Sequence, residues 1–402
     1  MPTPRKTIAV VNASGRQAAS FIRVAAAVGY DVRAQLRNLD GIVANEIEGL
    51  EHVTTLVGDL YTKAKSARRG SPTLSPEDTG INHELIDELF SGADLAFINT
   101  TFWGDEVAIG KAIADAAVKA DVKHFIYSSM PDHKLVTPSN ISKKWPSLPL
   151  WSGKMEVEQY IRTIPSLLAK TTFLYTGIYN NNFTSLLYPL FCMELQKDGS
   201  FTWEAPFHPD VPLPWLDAEH DVGPAVIQII KDGVKRWGNG ERIALAYEML
   251  TPKQVCRAFS RGVSRPVRYR HNLKIDVRVK IPTGYRDQLV ALEEMYALGA
   301  KDPKLQPPYF GDQKLEDSCP HEAMELWEGH RGIEEYAREV FPLEEAANGL
   351  TWMNEEQEEE EGRIEGGEDL SEVDEEDDDD DDGLTMGGGA ETPARKEEGW
   401  LA

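Results

Sequence analysis

The chain has little cysteine: Cys192, Cys256 and Cys319 are the only three in 402 residues. They are too few and too scattered for a disulfide framework or a zinc knuckle, and they point to a reducing compartment. No apolar run approaches the roughly 18 residues that a membrane span needs, and Arg5-Lys6 lead into a short strand-like run rather than a signal-peptide core. Internal repeats are lacking, and so is any basic excess. The formal charge is −25, yet residues 355–382 alone hold 19 Asp/Glu against one Arg and residues 383–402 a further −1, which leaves −6 for residues 1–354. A negative surface repels phosphate backbones, so direct DNA binding is disfavoured, whereas a basic protein partner is allowed. Hydrophobic residues at 41% suffice for a sizeable core. The acidity therefore belongs to a tail, 354–402, that reads as disordered.

What is present in the first half is alternation. Strand-like runs at Thr7–Val11, Asp31–Arg37, His52–Val57, Asp94–Asn99, Lys123–Ser128 and Thr171–Tyr175 are separated by stretches with helical spacing, such as Ala18, Phe21, Ile22, Ala25 and Val28. Strands alternating with helices imply a parallel sheet covered on both faces, an α/β, Rossmann-type doubly wound fold over 1–180. Residues 61–81 are polar and rich in Pro, Gly and Ser, an inserted surface loop. Asn82 is placed to cap a helix over His83–Phe90. The second half, 181–353, reads as a smaller α+β region. Its aromatic and proline-rich stretch 183–217 suggests a loop-built wall, Asp221–Lys231 a helix, and Thr251-Pro252-Lys253-Gln254 a capping box that opens another. Helical patterns follow at Asp287–Leu298 and Glu322–Val340, and a strand at Pro266–Arg270.

The chemistry sits in IAVVNASGRQAASFI, a strand, a turn and a helix. A dinucleotide fold needs a tight turn there, with helix N–H groups aimed at a pyrophosphate. The usual glycines of Gly-x-x-Gly-x-x-Gly fall on Asn12, Gly15 and Ala18, so only the middle one is kept, where backbone must approach phosphate. Asn12 tolerates unusual backbone angles. Arg37 ends the second strand, where a basic residue accommodates the 2′-phosphate of NADP and an acid would favour NAD. Arg16 is placed to serve the same phosphate. Gly58-Asp59-Leu60 follows the third strand, at the adenine position. Further on, Ser128-Ser129 and Lys154 match two parts of the Ser–Tyr–Lys set with which short-chain dehydrogenases reduce carbonyls. The tyrosine, four residues before the lysine, donates the proton. Here that position is Leu150, which cannot.

Five stretches, NASGRQAASFIRVAAAVGYDVRAQ, LAFINTT, HFIYSSMPDH, GIYNNNFTSL and PLPWLDAEHDVGPA, resemble the NmrA-like family of fungal nitrogen metabolite repression regulators within the atypical short-chain dehydrogenases. The resemblance runs, with gaps, over about residues 5–353. It implies binding of oxidised NAD or NADP without dehydrogenase activity. It also implies repression of nitrogen-catabolic genes through a GATA-type zinc-finger activator, and a place in nucleus and cytoplasm. Carried over by position, it assigns the phosphate turn to Asn12, Ser14, Gly15, Arg16 and Gln17, and the adenosine end to Arg37, Asn38, Asp59 and Leu60. The loop after the fourth strand is Asn99, Thr100 and Thr101. The nicotinamide side is Lys154 with Gly177, Ile178, Tyr179, Asn180 and Asn181. The insertion at 61–81 and the tail depart from the family pattern. Because a GATA finger is basic, its blocker should present acids. The acid-rich start of the helix after Leu216 nominates Glu219, Asp221, Gln228 and Ile230 as its docking residues; acids are also favoured at any helix start. An NADPH-dependent reductase of the isoflavone-reductase-like type, using Lys154 with Tyr127 or Tyr160, and a scaffold with a vestigial site stand as alternatives.

Overall fold

The computed structural model describes residues 5–350, apart from 64–78, 103, 140 and 142. The acidic tail and most of the insertion thus lie outside the described residues. The chain opens with β1 (Thr7–Val10), α1 (Arg16–Ala27), β2 (Asp31–Leu36), α2 (Ile42–Glu48) and β3 (Val53–Val57). The two ends of the insertion pair as an antiparallel hairpin, β4 (Tyr61–Lys63) with β5 (Thr79–Ile81). Then come α3 (His83–Phe90), β6 (Leu95–Ile98), α4 (Glu106–Lys119), β7 (His124–Ser129), α5 (His133–Val136), α6 (Pro149–Arg162), α7 (Pro165–Leu168) and β8 (Thr171–Thr176). All six predicted strands form, and Asn82 caps α3 by accepting from the Leu85 N–H at 3.2 Å.

After β8 the chain forms β9 (Ile178–Tyr179), β10 (Met193–Leu195), β11 (Phe201–Ala205), β12 (Leu213–Leu216), α8 (Ala218–Asp232), α9 (Val234–Trp237), β13 (Glu241–Leu245) and β14 (Glu248–Leu250). It closes with α10 (Pro252–Val263), β15 (Val267–His271), α11 (Thr283–Gly299), α12 (Gln313–Ser318), α13 (His321–Leu326), α14 (Ile333–Glu339) and α15 (Phe341–Ala347). The capping box at Thr251 forms as read, each partner bonding the other's backbone.

The central sheet has seven strands in the order β13-β8-β7-β6-β1-β2-β3, every neighbouring pair parallel. Alternate residues feed two cores. Ile8 and Val10 of β1 face one with Phe21, Val32 and Val226; Ala9 and Val11 face the other with Ile98, Ile113 and Tyr127. This period of two, with both faces covered, is why β6, β7 and β8 are buried at every position. Strand order reverses between β1 and β6, which places a crevice at the carboxyl ends of those strands.

The seventh strand was not expected. It comes from residues 241–245, and α8 covers the sheet beside α1, so the layers of the parallel sheet draw on chain beyond residue 180. Gly223 permits this contact: a Cβ there would lie 2.4 Å from the Ser20 carbonyl oxygen of α1. The stretch 183–217 is not a loop-built wall. It holds β10, β11 and β12, and β11 alternates Phe201, Trp203 and Ala205 inward. Proline and aromatic residues masked that alternation in the sequence. The single helix read over Glu322–Val340 is two, α13 and α14, because Gly329 and Gly332 interrupt it.

Candidate functional site

The turn after β1 is built from local constraints. Asn12 takes φ +50°, a left-handed conformation that Asn tolerates better than most residues. Its side-chain amide donates to the Asn99 carbonyl at 2.8 Å, and its N–H donates to the side chain of Gln35 at 2.9 Å. Gly15 begins α1, and its N–H donates to the Asn12 carbonyl at 2.9 Å; a Cβ on Gly15 would come within 3.1 Å of that same oxygen. The start of α1 has no side-chain cap and no acid in its first turn. Its N–H groups and dipole are thus directed at the crevice.

Two cavities meet this turn. One is lined by Asn12, Gln35, Arg37, Leu60, Tyr61, Thr100, Thr101 and Ile109. It gathers residues from β1, β2, the loop after β3 and the loop after β6, as the adenosine assignments require. Asn38 is exposed, Asp59 and Ser14 are half-buried, and these three lie outside that lining. Tyr61, read as part of a surface loop, is part of the wall. Gln35 is the residue that sequence reasoning missed. Fully buried, it ties the Asn12 N–H to the Gly58 carbonyl, to which it donates at 2.7 Å.

The other cavity brings Gln17, Ser128, Lys154, Gly177, Ile178 and Tyr179 together with Leu150, Trp151, Tyr285, Leu292, Tyr296 and Tyr309. Lys154 is 5% exposed. Its ammonium donates to Asn99 Oδ1 at 3.1 Å, to Glu106 Oε1 at 3.2 Å and to the Thr100 carbonyl. Gln17 donates to the Tyr179 hydroxyl, while its buried Oε1 has no protein partner. Leu150 stands where a proton donor would, and its side chain lines the cavity. Ser129 is turned away, donating to the buried carboxylate of Glu158 at 2.8 Å. Neither alternative tyrosine fits the acid's role. The Tyr127 hydroxyl is 2.9 Å from Thr100 Oγ1, and burial, then the Glu106 charge, holds its pKa well above the ordinary value. The Tyr160 hydroxyl donates to Asp115 at 2.8 Å on an exposed face.

Several assignments need correction. Arg16 is 6% exposed, its guanidinium committed to Glu219 and, at 3.2 Å, to Glu344; burial opposes its charge, but those two carboxylates raise its pKa. It offers the turn its backbone, not a side chain for a 2′-phosphate. Asn180 and Asn181 are buried outside the cavity lining. Asn181 holds the start of α8, donating to Asp217 at 3.0 Å and accepting from the Ala218 N–H at 2.8 Å. Asp221 cannot dock a partner: it is fully buried, accepting from the Arg331 N–H at 3.0 Å and bonded to His220 at 2.7 Å. Glu219, Gln228 and Ile230 are partly exposed, and Glu219 already faces Arg16. Among the described residues no group of His, Cys, Asp and Glu could hold a metal ion.

The NmrA-like family model matches residues 4–337. The nitrogen metabolite repression protein nmr of Neurospora crassa is 63% identical over 366 residues, which is 89% of this chain and 72% of that protein. The nitrogen metabolite repression protein nmrA of Emericella nidulans is 50% identical over 380 residues, 88% of this chain and 100% of that one. The crystal structure of NmrA, a negative transcriptional regulator, matches with a TM-score of 0.75 and 52% identity over 87% of this chain and 100% of the other. NmrA has also been crystallised in complex with NAD and with NADP. Turn, crevice and sequence agree: the chain belongs to the NmrA-like family.

Proposed function

We propose that this protein is a negative transcriptional regulator of nitrogen metabolite repression. In this reading it binds oxidised NAD or NADP without converting it, and it restrains a GATA-type zinc-finger activator by direct contact in nucleus and cytoplasm. Its relatives in Neurospora and Emericella carry the regulatory part by name. The residues present fit a dinucleotide. The uncapped start of α1 suits a pyrophosphate, Arg37 and Leu60 line a cleft at the adenosine position, and the unpartnered Oε1 of Gln17 awaits a donor beside Lys154. Bound there, the dinucleotide supplies a nicotinamide ring that is cationic when oxidised and neutral when reduced.

The observation that carries the absence of turnover is Leu150 in the cavity wall at the position of the proton donor, with Lys154 held by three protein acceptors. Calorimetry with NAD and NADH, alongside NADPH consumption with a panel of ketones and enones, tests it. Tight NAD binding with no consumption is expected, and steady consumption with any carbonyl would refute it. A second reading, the isoflavone-reductase-like enzyme, is favoured by the size of the aromatic chamber next to Lys154, and the same assay decides for it. With Asp221 buried, partner docking narrows to the partly exposed face of α8 with Glu219, Gln228 and Ile230. Gln228→Ala/Ile230→Ala should weaken pull-down of a recombinant GATA finger and leave NAD affinity unchanged; undiminished capture rejects this face.

A further inference from the structure

Among the described residues, Lys154 is the one charged side chain in the lining of the larger cavity. An unanswered ammonium there would repel a cationic ring. The tyrosines of the wall do not answer it, because burial raises the phenol pKa values of Tyr179, Tyr285, Tyr296 and Tyr309 and keeps them neutral. Glu106 does. It opens α4 behind the cavity wall, 8% exposed, accepting from Lys154 at 3.2 Å and from Thr100 Oγ1 at 2.7 Å. Gly153, next to Lys154, makes room for it: a Cβ there would come within 3.0 Å of Glu106 Oε2. A glycine inside a helix is otherwise a liability, so this one has a purpose in the carboxylate's placement. With Asn99 Oδ1 and the Thr100 carbonyl, the three donors of the ammonium are all engaged.

We propose that Glu106, acting through Lys154, sets the charge of ring that the cavity accepts. The buried pair is neutral as a unit, so an oxidised nicotinamide enters without meeting an unopposed positive charge. The inference rests on the reading that this cavity takes the nicotinamide end, and it names the residue that keeps Lys154 from cancelling the preference for the oxidised form. An acid at a helix start serves any helix by its charge alone. That ordinary role predicts a stability loss in its absence and no change in redox preference.

Full-length wild type, Glu106→Gln, Glu106→Gln/Lys154→Met and Gly153→Ala are titrated with NAD and with NADH by calorimetry. Wild type should prefer NAD. Glu106→Gln keeps the volume but leaves Lys154 unopposed, and should cut that preference by about tenfold or more, chiefly through NAD. The double variant is neutral again and should regain the wild-type ratio even if both affinities fall. Gly153→Ala displaces the carboxylate without altering any charge and should shift the ratio in the same direction by a smaller factor, which keeps a readout should Glu106→Gln fold poorly. An unchanged ratio in both single variants, or no recovery in the double variant, overturns the role of Glu106. Wild type that binds neither form, or both alike, instead removes the dinucleotide reading beneath it, a failure visible without any variant.

Discussion

Helices α1 and α8 lie side by side and begin in opposite ways. The start of α1 carries no side-chain cap and no acid. The start of α8 is filled by its own chain: Asp217 accepts from the Glu219 and His220 N–H groups, and Glu219 and Asp221 occupy the first turn. Both helix ends present the same positive dipole. One is satisfied internally and serves folding; the other has neither cap nor acid of its own and, in the proposed function, serves to bind an anion. The two are tied by Arg16 of α1, which pairs with Glu219 of α8. Acids at a helix start are therefore no sign of a docking surface until their burial is known.

The comparison can be broken most sharply at Asp217. It is fully buried, caps two N–H groups, accepts from Asn181 and pairs with Arg331 at 3.2 Å. Asp217→Ala should cost about 3–5 kcal/mol in chemical denaturation, the scale for removing one partner of a buried charged network. A loss under about 1 kcal/mol, the range of an ordinary cap, would mean that α8 does not depend on its internal filling. Next is the contact between the helices. Gly223→Ala puts a methyl group against the backbone of Ser20 and should cost about 1–3 kcal/mol, read as a lowered midpoint at unchanged slope.

Gly15→Ala should separate the two helix starts by property. Its backbone, φ −66° and ψ 150°, suits alanine, so stability should change by less than about 1 kcal/mol. The added methyl group would press within 3.1 Å of the Asn12 carbonyl oxygen and disturb the turn proposed to hold the phosphate, so NAD affinity should fall about tenfold, near 1.4 kcal/mol. Equal NAD affinity would place the phosphate elsewhere. The smallest effect concerns pH. The hydrogen bond that His220 donates to Asp221 raises the pKa of His220 above its ordinary 6.5, against partial desolvation. Its contribution to stability is present below pH 6.5 and is lost as pH rises through the raised value. Wild type should thus melt above His220→Gln at pH 6, and the gap should close by pH 8.5. A gap that persists there would show that packing, not charge, supports this corner.

Much of the framework was readable because its causes are local. Six of the seven central strands, the cap at Asn82 and the capping box at Thr251 each depend on a few adjacent residues. The seventh strand escaped because Glu241–Leu245 lies beyond the alternating half of the chain and gains its place only by pairing with Thr171–Thr176. The candidate site divides the same way. Asn12, Arg37, Lys154 and Tyr179 were visible from motif and position, and the fold brings them to the lining of two cavities. Gln35, Glu106 and Glu158 were not visible, since each acts on a residue distant in the chain: Asn12, Lys154 and, at 2.8 Å, Arg242.

Legible in the amino-acid order alone were the alternation of elements, the turn that opens the crevice, the leucine four residues before Lys154 and the concentration of acidic charge in residues 355–382. These follow from periodicity, backbone preference and composition, which act over a few residues. Only the tertiary structure decided which charges are answered. Arg16 faces Glu219 and Glu344, Lys154 faces Glu106, and Asp221 is sealed under Arg331. A buried charge must find its partner wherever the fold brings one within reach, and no local pattern carries that information.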